Sequence, residues 1–257
     1  MRTSCPWLKR VTKLGLILMV GVSMSACSTT SWKEEVLLHD GSKIIVERSQ
    51  IREGRHEIGQ GPPIKEQSNT FTPPGSNKPI TWKSEFSADI GHANFYLLAL
   101  DILNGTPYIV TNPAGCLAYN KWGRPNPPYI FFKYVNQQWK QIPLAEFPVE
   151  IKQLNVVLDT YGHGDVEREV KSGFISADSV KKLNSDFKQE EFKTILREPV
   201  KRVGPEGCAK MVPYGKGGWL GLDWFSDQPS YEACLKFCES KGVSPQNCPC
   251  NFLFKGK

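Results

Sequence analysis

The sequence predicts a mainly β protein: an antiparallel β-sandwich or barrel-like core, a short helical segment and a small disulfide-rich C-terminal tail. Three observations carry this. Short runs rich in Val, Ile, Phe, Tyr and Trp recur at roughly ten-residue spacing, broken by turn residues. The apolar period becomes helical between Ser176 and Leu196 and again between Tyr231 and Lys241. Four cysteines crowd into residues 234–250. With 40% hydrophobic and 23% charged residues, the chain is neither disordered nor a multi-span membrane protein.

The N-terminus carries an address. Arg2, Lys9, Arg10 and Lys13 precede the apolar run Leu14 to Val22, and no acid occurs before residue 27. That is the pattern of a secretory signal. The run is too short to cross a hydrocarbon core of roughly 30 Å as a helix. Met24-Ser25-Ala26-Cys27 resembles the bacterial lipobox. The resemblance implies that residues 1–26 are removed and that Cys27 is acylated, with stable anchoring by two or more acyl chains. Ser28 after the cysteine resembles outer-membrane sorting, with the body facing the periplasm. Residues 27–31 are then a short tether, followed by a β-rich domain over 32–200 and a Cys-rich subdomain over 201–257. Removing the four signal cations leaves 28 basic against 26 acidic residues, a net +2, which argues against nucleic-acid binding.

Asp40-Gly41 between EEVLLH and SKIIVER signals a two-residue type I′ hairpin. That turn sets Leu37 opposite Ile44 and Val36 opposite Ile45, with apolar residues on both faces. Residues 49–80 read as loop with one strand near Asn69–Thr72. Pro79 to Glu85 alternates as a strand. Phe95 to Asp101 is a buried strand or a short helix, which periodicity alone cannot separate. Asn104-Gly105 turns the chain into a strand over Tyr108–Thr111. Tyr129 to Val135 and Gln138 to Ile142 form a pair about Asn136-Gln137, and Ile151 to Asp159 reads as a further strand. Ser176 caps a helix over 176–196, with Val180, Leu183, Phe187, Ile195 and Leu196 near one stripe. Gln189-Glu190-Glu191 interrupts it, so two shorter helices also fit. Gly204 to Gly221 reads as linker or loop.

Cys5 leaves with the signal and Cys27 is spent on lipid. Cys116, Cys208, Cys234, Cys238, Cys248 and Cys250 remain, an even set suited to disulfides in an oxidising compartment. Ser230 caps a helix that stops at Gly242, so Cys234 and Cys238 share a face with about 6 Å of rise between them. In an extended segment Cys248 and Cys250 share a face about 6.6 Å apart. Matching pitch favours Cys234–Cys248 and Cys238–Cys250, leaving Cys116–Cys208. The spacing is similar to the cysteine-stabilised α/β motif of small defensins, from which no activity carries over. A four-thiolate zinc site is the competing arrangement.

Catalytic signatures are sparse. Gly215-Lys216-Gly217-Gly218 lacks the Ser or Thr of a phosphate cradle. His39 falls at a hairpin tip and is expected in solvent, His92 in the core or a turn. Asp159, His163 and Asp165 in DTYGHGD are weak metal or acid–base candidates. No motif places a base beside Cys116, and no cofactor motif occurs. Ala114 to Tyr129 is the strongest recognition candidate: Tyr119, Trp122 and Tyr129 interleave with Lys121 and Arg124 on a Pro-stiffened backbone. The same loop could instead fold back and bury Trp122 against the sheet. Trp219, Trp224 and Phe225 are expected to form the core of the C-terminal tail.

WKEEVLLHDGSKIIVERS (32–49), YNKWGRPNPPY (119–129) and ILREPVK (195–201) resemble a set of uncharacterised proteobacterial lipoproteins, over about residues 32–201. The resemblance implies a lipobox protein of the cell envelope and no mechanism. The expected function is a non-catalytic binding or scaffold module, held on the membrane through Cys27, with an envelope protein or glycan as partner through 119–129. The alternatives are a hydrolase or metal enzyme using 159–165, and an inhibitor of cell-wall hydrolases.

Overall fold

Strict alternation from Trp32 to Leu38 and from Ile44 to Gln50 builds two amphipathic strands, β1 (Ser28–Leu37) and β2 (Lys43–Arg52). The computed structural model describes residues 28–54, 61–158, 164–201 and 207–255. The signal, Cys27, Asp159 and His163 lie outside them. The hairpin loop has three residues, not two. Leu38 N–H donates to Ser42 O, Gly41 N–H donates back to Leu38 O, and Gly41 takes φ +84°. The extra residue moves the register by one, so Val36 faces Ile44 and Glu34 faces Val46. One face then collects Trp32, Glu34, Val36, Ile44, Val46 and Arg48, all buried. Leu37 and Ile45 turn outward at 45% and 44% exposure. A one-residue slip exchanges the faces of a strand, so the longer loop decides which residues are core.

The tether also differs. Ser28 to Ser31 already pair with Arg52 to Ser49, so the folded body starts directly after residue 27. β2 continues through Arg52 and pairs with β3 (Ile64–Phe71), within a stretch expected to be mostly loop. β3 hides from hydrophobic periodicity because two of its buried residues, Gln67 and Asn69, are polar. β4 (Ile80–Ser84) closes that side. The sheet order is β11-β1-β2-β3-β4, with β11 (Phe174–Ile175) parallel to β1.

The second sheet has the order β10-β9-β8-β7. β7 (Phe95–Leu103) settles the strand-or-helix ambiguity in favour of strand. Asn104 and Gly105, both at positive φ, return it as β8 (Thr106–Pro113). β9 (Ile130–Val135) and β10 (Gln138–Ile142) join through Asn136 and Gln137, also at positive φ. Two short strands, β5 (Phe86–Ser87) and β6 (His92–Ala93), pair between the sheets in sequence. Val36, Val46, Phe71 and Trp82 of the first sheet meet Phe95, Leu97, Ile109 and Ile130 of the second, which makes a sandwich. The second sheet is covered on its other face as well, where Val110 and Phe131 meet Phe147, Ile151 and Ile195. Burial on both faces explains why FYLLALDIL does not alternate.

Ile151 to Asp159 is not a strand over its described residues. Side chains take the place of a ladder. Asn155 Nδ2 donates to Leu100 O and Leu37 O, and Asn155 Oδ1 accepts Leu100 N–H at 3.0 Å. Glu34 Oε1 accepts Val157 N–H at 2.7 Å. The expected helix over 176–196 is α3 (Ala177–Asn184) plus a 3-10 turn at Glu190–Phe192. Ser176 Oγ caps α3 by accepting Ser179 N–H. Ile195 donates its N–H to Lys152 O and packs in a different cluster from Val180, so the stripe was never one helix. α1 (Gly115–Lys121) forms within the expected 114–129 loop, and α2 (Gly164–Ser172) starts at the end of the 159–165 loop and covers residues assigned to no element from sequence.

The C-terminal part places β12 (Met211–Tyr214) and β13 (Gly218–Gly221) within the expected linker. α4 (Asp223–Ser226) and α5 (Tyr231–Lys241) follow, α5 capped by Ser230 and ended by Gly242 at φ +64°. The disulfides are Cys116–Cys208, Cys234–Cys250 and Cys238–Cys248. The two tail bridges are exchanged relative to the expected Cys234–Cys248 and Cys238–Cys250. After Gly242 the chain returns along the helix, so the first cysteine it brings, Cys248, meets the C-terminal Cys238. Cys250 continues back to Cys234, and the chain then coils over Asn251–Lys255 rather than staying extended.

Asn155→Ala leaves Leu100 N–H and two carbonyls without their partner. The two Leu100 groups are buried and cost about 1–3 kcal/mol each, while Leu37 O can turn to water, so the expected loss is about 2–6 kcal/mol. Denaturant unfolding measures it, and a change below about 0.5 kcal/mol would contradict the assigned role.

Candidate functional site

The 119–129 loop, the surface expected from sequence, is largely internal. Tyr119 is fully buried on α1, and Arg124 stacks over its ring at 4.8 Å. Trp122 packs on Phe95 with ring centroids 4.6 Å apart and donates Nε1–H to Asn94 Oδ1. Tyr129 is buried and donates its hydroxyl to Glu191 O at 2.8 Å. Burial pushes the Tyr129 phenol well above its ordinary pKa. Lys121 pairs with Asp89 at 2.8 Å. Arg124 donates to Cys208 O and Ala209 O, and Asn120 bonds Ala209 O and Met211 N–H. With Cys116–Cys208, these bonds weld the loop to the Cys-rich subdomain. The aromatic–cation composition that suggested recognition is consumed by an internal joint.

The other sequence candidates fare variously. Asp165 sits in the first turn of α2, exposed, 3.0 Å from Arg168. Phe225 is fully buried in the tail core, whereas Trp224 is 55% exposed and Trp219 packs beside α1. Among the described residues, one cluster brings three metal-ligating atoms within 4.8 Å, namely Cys234, Cys238 and Cys250. All three are disulfide-bonded, which removes the thiolates a metal would need.

A site unforeseen in the sequence opens at the hairpin tip. A cleft of about 790 Å³ lies between the tip, residues 150–155, α3 and residues 192–193. The face of α3 that lines it is Ala177, Val180, Lys181 and Asn184, one helical stripe, with Ser185 at its C-cap. Leu154, Val180 and Phe192 supply apolar surface, while Lys152, Lys181 and Lys193 supply charge.

His39 and Asp101 lie at one end. His39 Nδ1 is 2.6 Å from Asp101 Oδ1, and His39 N–H donates to Asp101 Oδ2 at 2.9 Å. Ile102 N–H adds a third bond to the carboxylate. His39 is exposed at the hairpin tip, as expected from sequence, but its ring is tied to Asp101, and the side chain keeps 20% exposure against 4% for Asp101. Its hydrogen bond to Asp101 raises the imidazole above its ordinary value, while burial raises the carboxyl of Asp101. The pair locks the ring orientation and stabilises a cation at the cleft. A histidine held by a carboxylate can also accept a proton. Among the described residues, no serine, threonine or cysteine side chain is hydrogen-bonded to this ring.

One signal in the sequence did point here. Asp101 is the lone acid in FYLLALDIL, and a carboxylate inside a buried strand requires a partner. The partner is 62 residues away in sequence, which no local pattern shows.

No protein-family model, curated protein or solved structure matches this chain.

Two outcomes test the site's anatomy. Trp122→Ala should cost about 3 kcal/mol in denaturant unfolding, as for a core aromatic. A loss under about 0.5 kcal/mol, the range of free surface positions, would restore the loop as a contact surface. The raised His39 pKa makes its contribution complete below the ordinary value of 6.5 and lost as pH rises through the folded value. The gap in unfolding midpoint between the native protein and His39→Gln should therefore narrow from pH 6 upward, and a gap constant to about pH 9 would refute the linkage.

Proposed function

We propose that the chain is a lipoprotein of the cell envelope, held on the outer membrane through acylated Cys27 and facing the periplasm. It works as a binding module through the cleft beside His39. The cleft carries this reading. Its volume falls within the range of pockets that take small ligands or short segments, about 300–1,000 Å³. It combines apolar walls with a few placed charges, the usual composition of such sites.

The anchor supports the same reading by geometry. β1 begins at Ser28 and runs to Leu37, beside the hairpin tip. Ten residues of strand span about 30 Å. An acyl group on Cys27 would hold one end of β1 at the bilayer, and the cleft would open at the other end. A ligand would then reach it from the aqueous phase or from a facing partner rather than from the lipid below. The walls come from a sandwich and a capped helix, so binding requires little ordering of the protein. No helix of the described residues is long and apolar enough to cross a membrane.

A photo-crosslinking residue at Gln153, which is exposed and lines the cleft, tests the proposal in cells. One dominant adduct is expected from the membrane fraction. Ala177→Trp, which fills the cleft, should abolish it, and Cys27→Ser should move the protein to the soluble fraction. An adduct unchanged by Ala177→Trp, or none from folded protein, would overturn the cleft as the binding site.

A further inference from the structure

We infer that the cleft takes an acidic peptide segment carrying an apolar anchor side chain. The inference rests on the cleft being a binding site and names the chemistry it selects.

Charge is the first argument. Among the described residues, no carboxylate lies within ion-pair distance of Lys152 or Lys181. Lys193 makes one exposed contact, 3.3 Å to Glu190, and such a pair holds its cation weakly. Of the two acids lining the cleft, Asp101 is already occupied by His39, which leaves Glu150 against three lysines. The cleft is therefore cationic in a chain whose body is nearly neutral. It attracts carboxylates and repels basic segments.

The backbone beside these lysines offers free hydrogen-bonding groups. Residues 151–155 lie against the sandwich without ladder partners. Lys152 O is taken by Ile195 N–H and Thr194 Oγ1. Among the described residues, the amide and carbonyl of Gln153 and Leu154 make no backbone hydrogen bond, and Gln153 is exposed. A peptide main chain supplies the complementary donors and acceptors, as in strand addition. A bare acyl chain supplies neither, and an inorganic anion can accept from the amides but brings no apolar group for Leu154 and Phe192. Leu154, Val180 and Phe192 then receive an apolar side chain of the same segment. The distance from the anchor fits this choice, since the ligand must arrive through water.

A random-sequence hexapeptide pool is the probe, passed over the full lipidated chain in zwitterionic nanodiscs, with empty nanodiscs as control. Retained peptides should be enriched in Asp or Glu together with Leu, Ile, Phe or Val. Recovery should fall steeply as salt rises. Lys152→Glu with Lys181→Glu, both exposed positions, should reduce recovery of the acidic peptides at least tenfold and leave the unfolding midpoint nearly unchanged. Enrichment of basic peptides, or of apolar ones without acid, would overturn the charge class. No enrichment together with a cleft-dependent adduct from position 153 would overturn the peptide while leaving the binding site standing. No enrichment and no adduct would overturn both.

Discussion

The carboxylate of Glu34 has no exposure, and three elements depend on how it is satisfied. Its Oε2 accepts from Arg48 at 2.8 Å and from Trp32 Nε1 at 2.9 Å, while Oε1 accepts Val157 N–H. Arg48, itself 3% exposed, also donates to Val157 O. A buried ion pair is weak evidence of net stabilisation, because desolvation offsets much of its attraction. Its effect here is specificity. β1, β2 and the segment around Val157 are brought together by these bonds, although Arg48 Nε stays buried without a hydrogen-bond partner. Losing one partner would strand a buried charge.

That segment is the seam of the molecule. Glu34 and Arg48 hold it to the first sheet, and two residues earlier Asn155 holds it to β7 of the second. Among the described residues, β8 is the sole strand partner of β7, which leaves β7 a sheet edge. Unpaired edges invite aggregation, and this one is covered by side chains. Ser84 Oγ accepts Phe95 N–H, Gln67 Nε2 donates to Phe95 O, and Asn155 bridges both groups of Leu100. The same devices set the cleft. Asn155 bonds Leu37 beside the hairpin tip, and Asn184 on α3 bonds Val156 O and Leu158 N–H. The walls are thereby fixed before any ligand arrives, which a precise site requires.

The Cys-rich subdomain acts as a clamp on the far side of α1. Cys116–Cys208 closes 92 residues of sequence separation, enough to remove about 4–5 kcal/mol of unfolded-chain entropy in the loop-closure account. Its own core needs staples. Phe225, Val212 and Val243 are few for a domain of this size, and two bridges add Cys234, Cys238 and Cys250 to the same cluster. Trp219 Nε1 donates to Asp89 O, and Asp89 in turn holds Lys121, so the clamp reaches the 119–129 loop by polar as well as covalent links.

By itself the sequence determined whatever depends on neighbours along the chain. Asn104-Gly105 and Asn136-Gln137 turned where their tolerance of positive φ allows it. Ser176 and Ser230 capped the helices they precede, and the aromatic strand at Tyr129–Val135 stood one residue from its observed start. The β-rich class followed from these. Register was out of reach, because His39 to Gly41 forms a loop one residue longer than Asp-Gly implies and one residue reverses both faces. The end of β3 was expected near Asn69–Thr72, but its start at Ile64 was hidden because its buried Gln67 and Asn69 look like surface. Cys116–Cys208 was legible, but only the tertiary structure decided the two tail bridges, since the direction in which the chain returns after Gly242 is not written in cysteine spacing. It alone decided the site as well. His39 and Asp101, Leu154 and Val180 come from distant segments, and a cleft is a property of how elements pack rather than of any run of residues.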